Sequence, residues 1–309
     1  VSDWGWEDEF AQWMANDCTI CTTLVDTIVP GRIRDPKEAA VVAERLGYED
    51  PFLAVREPFQ MWGIQGGESL AEKLPFVKAG LPGVFVTPDV TPYKKRKVRI
   101  LNGAHTAFVP GSWVAGFDIV RDCMHDETVR GFMNTMLYDE VIPTLAADLD
   151  VEDCKAFAAA VENRFDNPFI DHALLSICLN STAKWRARDL PTLKDYVAET
   201  GNLPKCLATS LATLISFYTQ ELVSREGDGL HLRRSDGTEY TAQDDAFVLD
   251  FYAAHAGADD AQLVHDVLTN EQMWGEDLTQ IAGLEDFVVS ALAVVRADGA
   301  KQAFANAQA

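Results

Sequence analysis

The chain has 309 residues, 48% of them hydrophobic, enough to bury a substantial core and to build two domains. Its 26 basic and 48 acidic residues leave a formal charge of −22, which argues against nucleic acid or an anionic membrane as partner. No apolar run approaches the roughly 18 residues of a membrane span, and the N-terminal Val1-Ser2-Asp3-Trp4-Gly5-Trp6 has neither a basic nor a hydrophobic leader region, so the expected location is cytoplasmic.

Up to about residue 92 the pattern is mixed α/β. β-rich runs at 19–29, 52–55 and 83–87 are separated by a helical pattern at 36–46 and by punctuation at Gly31, Gly66-Gly67 and Pro82-Gly83. After Pro92 the pattern turns helical. Asp126 reads as the N-cap of a helix over 127–141 closed by Pro143, and Asp150, with Asp153 three residues on, opens another to about 163. Further helices are predicted at 168–184, 191–199, 204–223, 244–256 and 259–295, and a hairpin around Ser235-Asp236-Gly237 within 230–240. The alanine-rich end, 299–309, is expected to fray.

Six cysteines, at 18, 21, 123, 154, 178 and 206, are too scattered for a disulfide framework. Cys18-Thr19-Ile20-Cys21 lacks the second pair that a tetrahedral zinc site needs, and β-branched residues follow it where a redox thiol would want a helix N-terminus. Two ordinary thiols are expected there. No metal site is predicted.

The chemistry concentrates in Lys97-Val98-Arg99-Ile100-Leu101-Asn102-Gly103-Ala104-His105, which sets an amine, a carboxamide and an imidazole at i, i+5 and i+8 among small and apolar residues. On an α-helix Asn102 and His105 share one face, whereas Lys97 lies about 80° around from His105 and roughly 12 Å lower, a gap its four-carbon stem can partly cover. The three heads can then converge on one small polar ligand. Spacing alone also fits a plainer reading, in which Lys97 belongs to the solvated basic run Lys94-Lys95-Arg96-Lys97 and the other two are satisfied helix residues.

Lys97, Asn102 and His105 match the K-x4-N-x2-H pattern of the mannitol dehydrogenase family, the polyol-specific long-chain dehydrogenases, and Thr106, Val109 and Pro110 resemble its tagaturonate reductase (altronate oxidoreductase) branch. Leu24-Val25-Asp26-Thr27-Ile28-Val29-Pro30 resembles the family's V-D-x-I-x-P strand, and Glu57-Pro58-Phe59 with Trp62 and Ile64 its E-P-F-x-x-W-x-I segment. Arg164-Phe165-x-Asn167-Pro168, Ser176-Ile177-x-Leu179-Asn180-Ser181-x-x-Lys184 and Trp274-Gly275-Glu276-Asp277-Leu278 also fit, so the likeness runs over nearly the whole chain. Departures are Thr27, where the family has arginine, and Ser176 and Leu179, where the mannitol branch has arginine and histidine.

The resemblance implies the end of a Rossmann-like nucleotide-binding domain over 1–92, then a mostly α-helical substrate domain over 93–309. No G-x-G-x-x-G turn occurs, so the chain is expected to be a C-terminal portion, with the residue that would tell NAD from NADP lying upstream. It also implies metal-free hydride transfer between tagaturonate and altronate, with Lys97 as acid/base, its pKa lowered towards about 7 to 8. Asn102 would hydrogen-bond the reacting oxygen, and His105 would fix a neighbouring hydroxyl and hold the lysine. Lys184, with Arg164 or Arg186, would meet a substrate carboxylate, unless it is only an exposed helix-end lysine. Trp62 would wall the sugar or simply pack in the core; Asp26 would anchor the domain interface or the active-site hydrogen-bond network; Glu57 would orient a hydroxyl or pair with Arg56 or Arg99. The remaining histidines, His125, His172, His231, His255 and His265, read as structural or surface residues. Fructuronate reductase and mannitol-type dehydrogenase are the alternatives within the class; a non-catalytic helical module that cannot hold the cofactor is the alternative outside it.

Overall fold

Contacts in the computed structural model, which describes residues 2–33 and 35–309, divide the chain into two units: residues to 28 with 56–94, and residues 29–55 with 95–309. The first unit is α/β. Its strands β1 (Thr23–Asp26), β2 (Met61–Gln65) and β3 (Val84–Thr87) lie in that order, antiparallel between β1 and β2 and parallel between β2 and β3. A parallel step needs a crossover, and the helices Glu68–Lys73 and Pro75–Lys78 supply it. Leu24, Met61 and Val90 form the core beneath, with Phe85 and Tyr93 packed on it.

The strand expected over 19–29 is shorter because only four of its residues face β2; beyond them the Ile28 amide donates to the Glu57 carboxylate at 2.6 Å. Residues 52–55 form no strand. The Asp50 side chain accepts from the Phe52 amide at 2.8 Å, an Asx turn, and only Val55 makes a bridge, to Gly31. The helix Pro36–Leu46 forms as expected, capped by Asp35 on the Lys37 amide and closed by Gly47 in the left-handed conformation.

The second unit is helical around two buried rods, Gly103–Val114 and Lys205–Tyr218. Both are buried on all sides along nearly their whole length, their few polar side chains included. Gly111 lets them close: a Cβ there would collide with the Phe304 ring and stand 2.9 Å from Thr213 Cβ. Asp126 and Asp150 cap their helices as predicted, but the helix expected over 127–141 is α only for Glu127–Thr135 and continues as π-helix through Met136–Val141. The predicted 168–184 helix breaks into Leu174–Ile177 and Ser181–Arg188 at Asn180, whose φ of 52° turns the chain while its amide donates to Gln243 O. The 204–223 pattern stops at Tyr218 and gives way to β4 (Glu221–Glu226), which extends the expected hairpin of β5 (Gly229–Arg233) and β6 (Glu239–Ala242) into a three-stranded antiparallel sheet. Left-handed Gly275 and Gly283 divide the 259–295 stretch. The tail does not fray: Ala300–Ala307 is a helix whose Phe304 is fully buried and stacks on Phe132 at 4.1 Å. No helix among the described residues is long and apolar enough to cross a membrane.

Candidate functional site

Residues Thr91–Arg96 begin as α-helix, but Lys97–Asn102 is π-helix, and α-geometry resumes at Gly103. This revises the expected geometry. In an α-helix five residues turn the chain by about 140° beyond a full revolution, separating Lys97 from Asn102. In a π turn the bond spans i to i+5, so these two side chains rise from one side of the helix. His105, three residues beyond Asn102 in regular helix, stays on that side. Single π turns of this kind recur at functional sites.

Several contacts hold the turn. The Gly103 amide bonds Val98 O. The Asn102 carbonyl also accepts from Thr106 Oγ1 at 2.9 Å and from Arg188 Nη1 at 3.4 Å, and the same nitrogen bonds Thr106 Oγ1 at 2.9 Å. Opposite, fully buried Asp189 presses on the helix backbone: a Cβ on Gly103 would stand 2.9 Å from its Oδ1. Burial outweighs Arg188 and Arg99 and pushes the Asp189 carboxyl well above the usual carboxylate range.

His105 is 6% exposed, stacked on Phe165 at 4.0 Å and met edge-on by His172 at 5.5 Å. Burial first, then the positive field of His172, Arg188, Arg164 and Lys184, hold its pKa well below 6.5. The ring is therefore a neutral hydrogen-bonding group at physiological pH. Three buried polar atoms stand without a hydrogen-bond partner here among the described residues, His105 Nε2, Asn102 Oδ1 and Asp189 Oδ2. Orphaned buried polar atoms are costly, and a cluster of them beside a π turn points to a polar ligand.

Lys184 is half-buried rather than an exposed helix end, and its Nζ donates to Ile177 O at 2.9 Å. Burial and then Arg188 lower its pKa from the ordinary lysine value. Arg164 is partly buried in the last turn of Val151–Phe165, close enough to act on His105. Arg186, the other cation considered, is exposed and lies over the Gly275 turn. Sequence reasoning missed Arg188 and treated His172 as structural. Arg188 had a signal, since it lies four residues after Lys184 on the same helical face. His172 had none, because it meets His105 only through the tertiary fold.

In the first unit, Asp26 (1% exposed) ends β1 and Glu57 (2% exposed) takes the Ile28 amide. Arg56 donates to the Glu57 carbonyl rather than its carboxylate, and Arg99 pairs with Asp195 at 3.0 Å. Trp62, on β2, stacks on Phe76 at 5.2 Å, so its ring already has a packing partner.

Among the described residues no three His, Cys, Asp or Glu side chains gather to hold a metal ion. The neutral imidazole and the Asn102 carboxamide, whose Nδ2 donates to nothing among the described residues, fit the carbonyl end of a nicotinamide reaction, whereas the sequence has no glycine-rich strand-to-helix turn to cradle the cofactor's phosphates.

Residues 89–295 match the model of the mannitol dehydrogenase C-terminal domain. The chain is 40% identical to the altronate oxidoreductase of Yersinia enterocolitica over 311 residues, covering 99% of this chain and 61% of that protein. It is 40% identical to the altronate oxidoreductase of Escherichia coli, covering 98% of this chain and 60% of that protein. It thus spans about three-fifths of the length of these curated relatives. Its fold is similar to that of Pseudomonas fluorescens mannitol 2-dehydrogenase in ternary complex with NAD and D-mannitol (TM-score 0.76, 21% identity, 97% of this chain and 56% of that one). It is also similar to D-sorbitol dehydrogenase in substrate-free form (TM-score 0.73, 20% identity, 97% of this chain and 57% of that one). By the domain match and by sequence identity over nearly all its length, the chain belongs to the mannitol dehydrogenase family.

Proposed function

We propose that this chain carries the substrate-handling residues of a nicotinamide-dependent oxidoreductase that interconverts tagaturonate and altronate by metal-independent hydride transfer. The observation that supports it most is the π turn Lys97–Asn102, which sets a lysine and a carboxamide on one side of a helix just before a buried, neutral His105. The 40% identity to altronate oxidoreductases supports the sugar-acid substrate.

In the direction of alcohol oxidation, Lys97 Nζ receives the hydroxyl proton as the carbonyl forms. The Asn102 carboxamide donates to the oxygen while it carries negative charge, which a preorganised donor in a dry site stabilises strongly. His105, neutral, offers one donor and one acceptor; its unpartnered Nε2 orients the substrate through a hydroxyl and keeps the lysine in line. An oxidised nicotinamide cofactor, when bound, would accept the hydride that leaves the carbinol carbon. Half-buried Lys184, together with Arg164, meets the carboxylate that distinguishes a sugar acid from a neutral polyol.

The test is reduction of tagaturonate, fructuronate and fructose with NADH by the full native protein, alongside calorimetric titration with NADH. Turnover of tagaturonate with the highest kcat/KM is expected. A folded protein that binds no NADH and reduces none of the three would mark a non-catalytic module.

A further inference from the structure

Lys184 and Arg188 sit one turn apart on the helix Ser181–Arg188, both half-buried. Among the described residues neither forms an ion pair. The one hydrogen bond from Lys184 Nζ goes to a backbone carbonyl, and Arg188 spends a single nitrogen, Nη1, on Asn102 O and Thr106 Oγ1. Two like charges held close and partly out of water repel each other and lose hydration. Asp244 and Asp189 are near enough to favour the two charges, but neither makes a hydrogen bond or ion pair with them: Asp244 receives Thr182 N and the Tyr218 hydroxyl, and burial pushes the Asp189 carboxyl well above the usual carboxylate range. In a chain of net charge −22, two adjacent cations with no ion-pair partner among the described residues are a local exception that calls for an anionic ligand.

The guanidinium also has the right placement. Nη1 bridges the carbonyl of Asn102 and the hydroxyl of Thr106, the residue after His105, so the group rests on the turn that carries the reacting side chains. Its Nη2 and Nε make no hydrogen bond among the described residues. Those two donors form the edge that binds a carboxylate in bidentate fashion, a geometry an ammonium cannot offer.

We infer that Arg188 is a specificity-determining residue, its free Nε–Nη2 edge gripping the carboxylate of a sugar-acid substrate while Nη1 ties that grip to the Asn102 turn. The inference rests on the sugar-acid reading above. It places the bidentate grip on Arg188, which the family pattern does not single out, and leaves Lys184 and Arg164 as supporting charges. Anchoring the carboxylate on the turn itself fixes the distance from the acid group to the reacting carbonyl, so a keto acid of the wrong length loses rate as well as affinity.

The test compares tagaturonate with tagatose, its neutral analogue, in the full native protein and in Arg188→Met and Arg188→Lys. Wild type is expected to favour the acid. Arg188→Met should raise KM for tagaturonate at least tenfold and leave KM for tagatose within twofold; Arg188→Lys, which keeps the charge without the fork, should fall between. A purely structural clamp would lower kcat for both substrates together and leave their ratio unchanged, and that result overturns the inference while the sugar-acid reading stands. Equal use of acid and neutral ketose by wild type sinks both. Should Arg188→Met fail to fold, the lysine variant carries the test, because an unchanged acid-to-neutral ratio there also overturns the inference.

Discussion

Two stretches of π-helix interrupt the helical unit, Lys97–Asn102 and Met136–Val141, and they differ in how their polar groups end up. In the second, buried Glu140 is fully used: one carboxylate oxygen takes the Cys206 amide at 2.7 Å and the other the Leu207 amide at 2.9 Å. These are orphan donors at the start of Lys205–Tyr218, whose N-cap is a proline with no side-chain acceptor, so Glu140 caps from another element. Beside the first, the Asn102 carboxamide oxygen and His105 Nε2 are left unpartnered. The same backbone irregularity thus serves packing in one place and holds reactive groups ready in the other. What tells the two apart is the side chain carried on the turn, satisfied for Glu140 and unsatisfied for Asn102, rather than the π turn itself.

That contrast can be broken by substitution. The largest expected effect is Lys97→Ala, which should lower kcat by about 10²–10⁴ with little change in melting temperature, the usual size of a lost general acid/base. Near-normal turnover would end the assignment. Asn102→Ala should cost about 10²-fold in kcat, as loss of an oxyanion donor does, again without unfolding, since its side chain makes no hydrogen bond among the described residues.

Glu140→Ala should behave in the opposite sense. Exposing two helix-terminal amides to a buried void should cost about 2–4 kcal/mol in denaturant titration, while kcat of the surviving folded protein is unchanged. Gly103→Ala probes the boundary between the two behaviours. The added methyl meets Asp189 and must shift the turn, so about 1–3 kcal/mol of stability is expected to go together with several-fold in kcat.

The smallest effect sharpens the comparison through pH. Burial raises the Glu140 carboxyl from 4.5 to about 7, its accepted amide hydrogen bonds opposing only in part. The folded state then holds a proton that the unfolded state has released, so this group's contribution to stability falls as pH rises from about 4.5 through about 7. Its full size is of the order of 3 kcal/mol. Glu140→Gln should remove that part of the slope in urea melts run across the range. His105 works the other way, since its depressed pKa means stability is lost as pH drops below 6.5.

Sequence by itself determined the change from an α/β stretch to a helical one near residue 92 and the beginnings of the capped helices. Asp35, Asp126 and Asp150 cap where their side chains reach amides two or three residues on, a local contact legible from spacing. It also brought out the lysine, asparagine and histidine, because their spacing and the likeness around them are properties of one short segment. Tertiary structure alone decided the π turn, since Arg188 and Asp189, which hold it, come from a helix far along the chain. It decided the same for the Glu140 cap, the break at Asn180 and the His172 ring against His105, each made by partners with no fixed separation in sequence. Local hydrogen bonding leaves a periodic trace that can be read residue by residue; contacts closed over long loops leave none until the core packs.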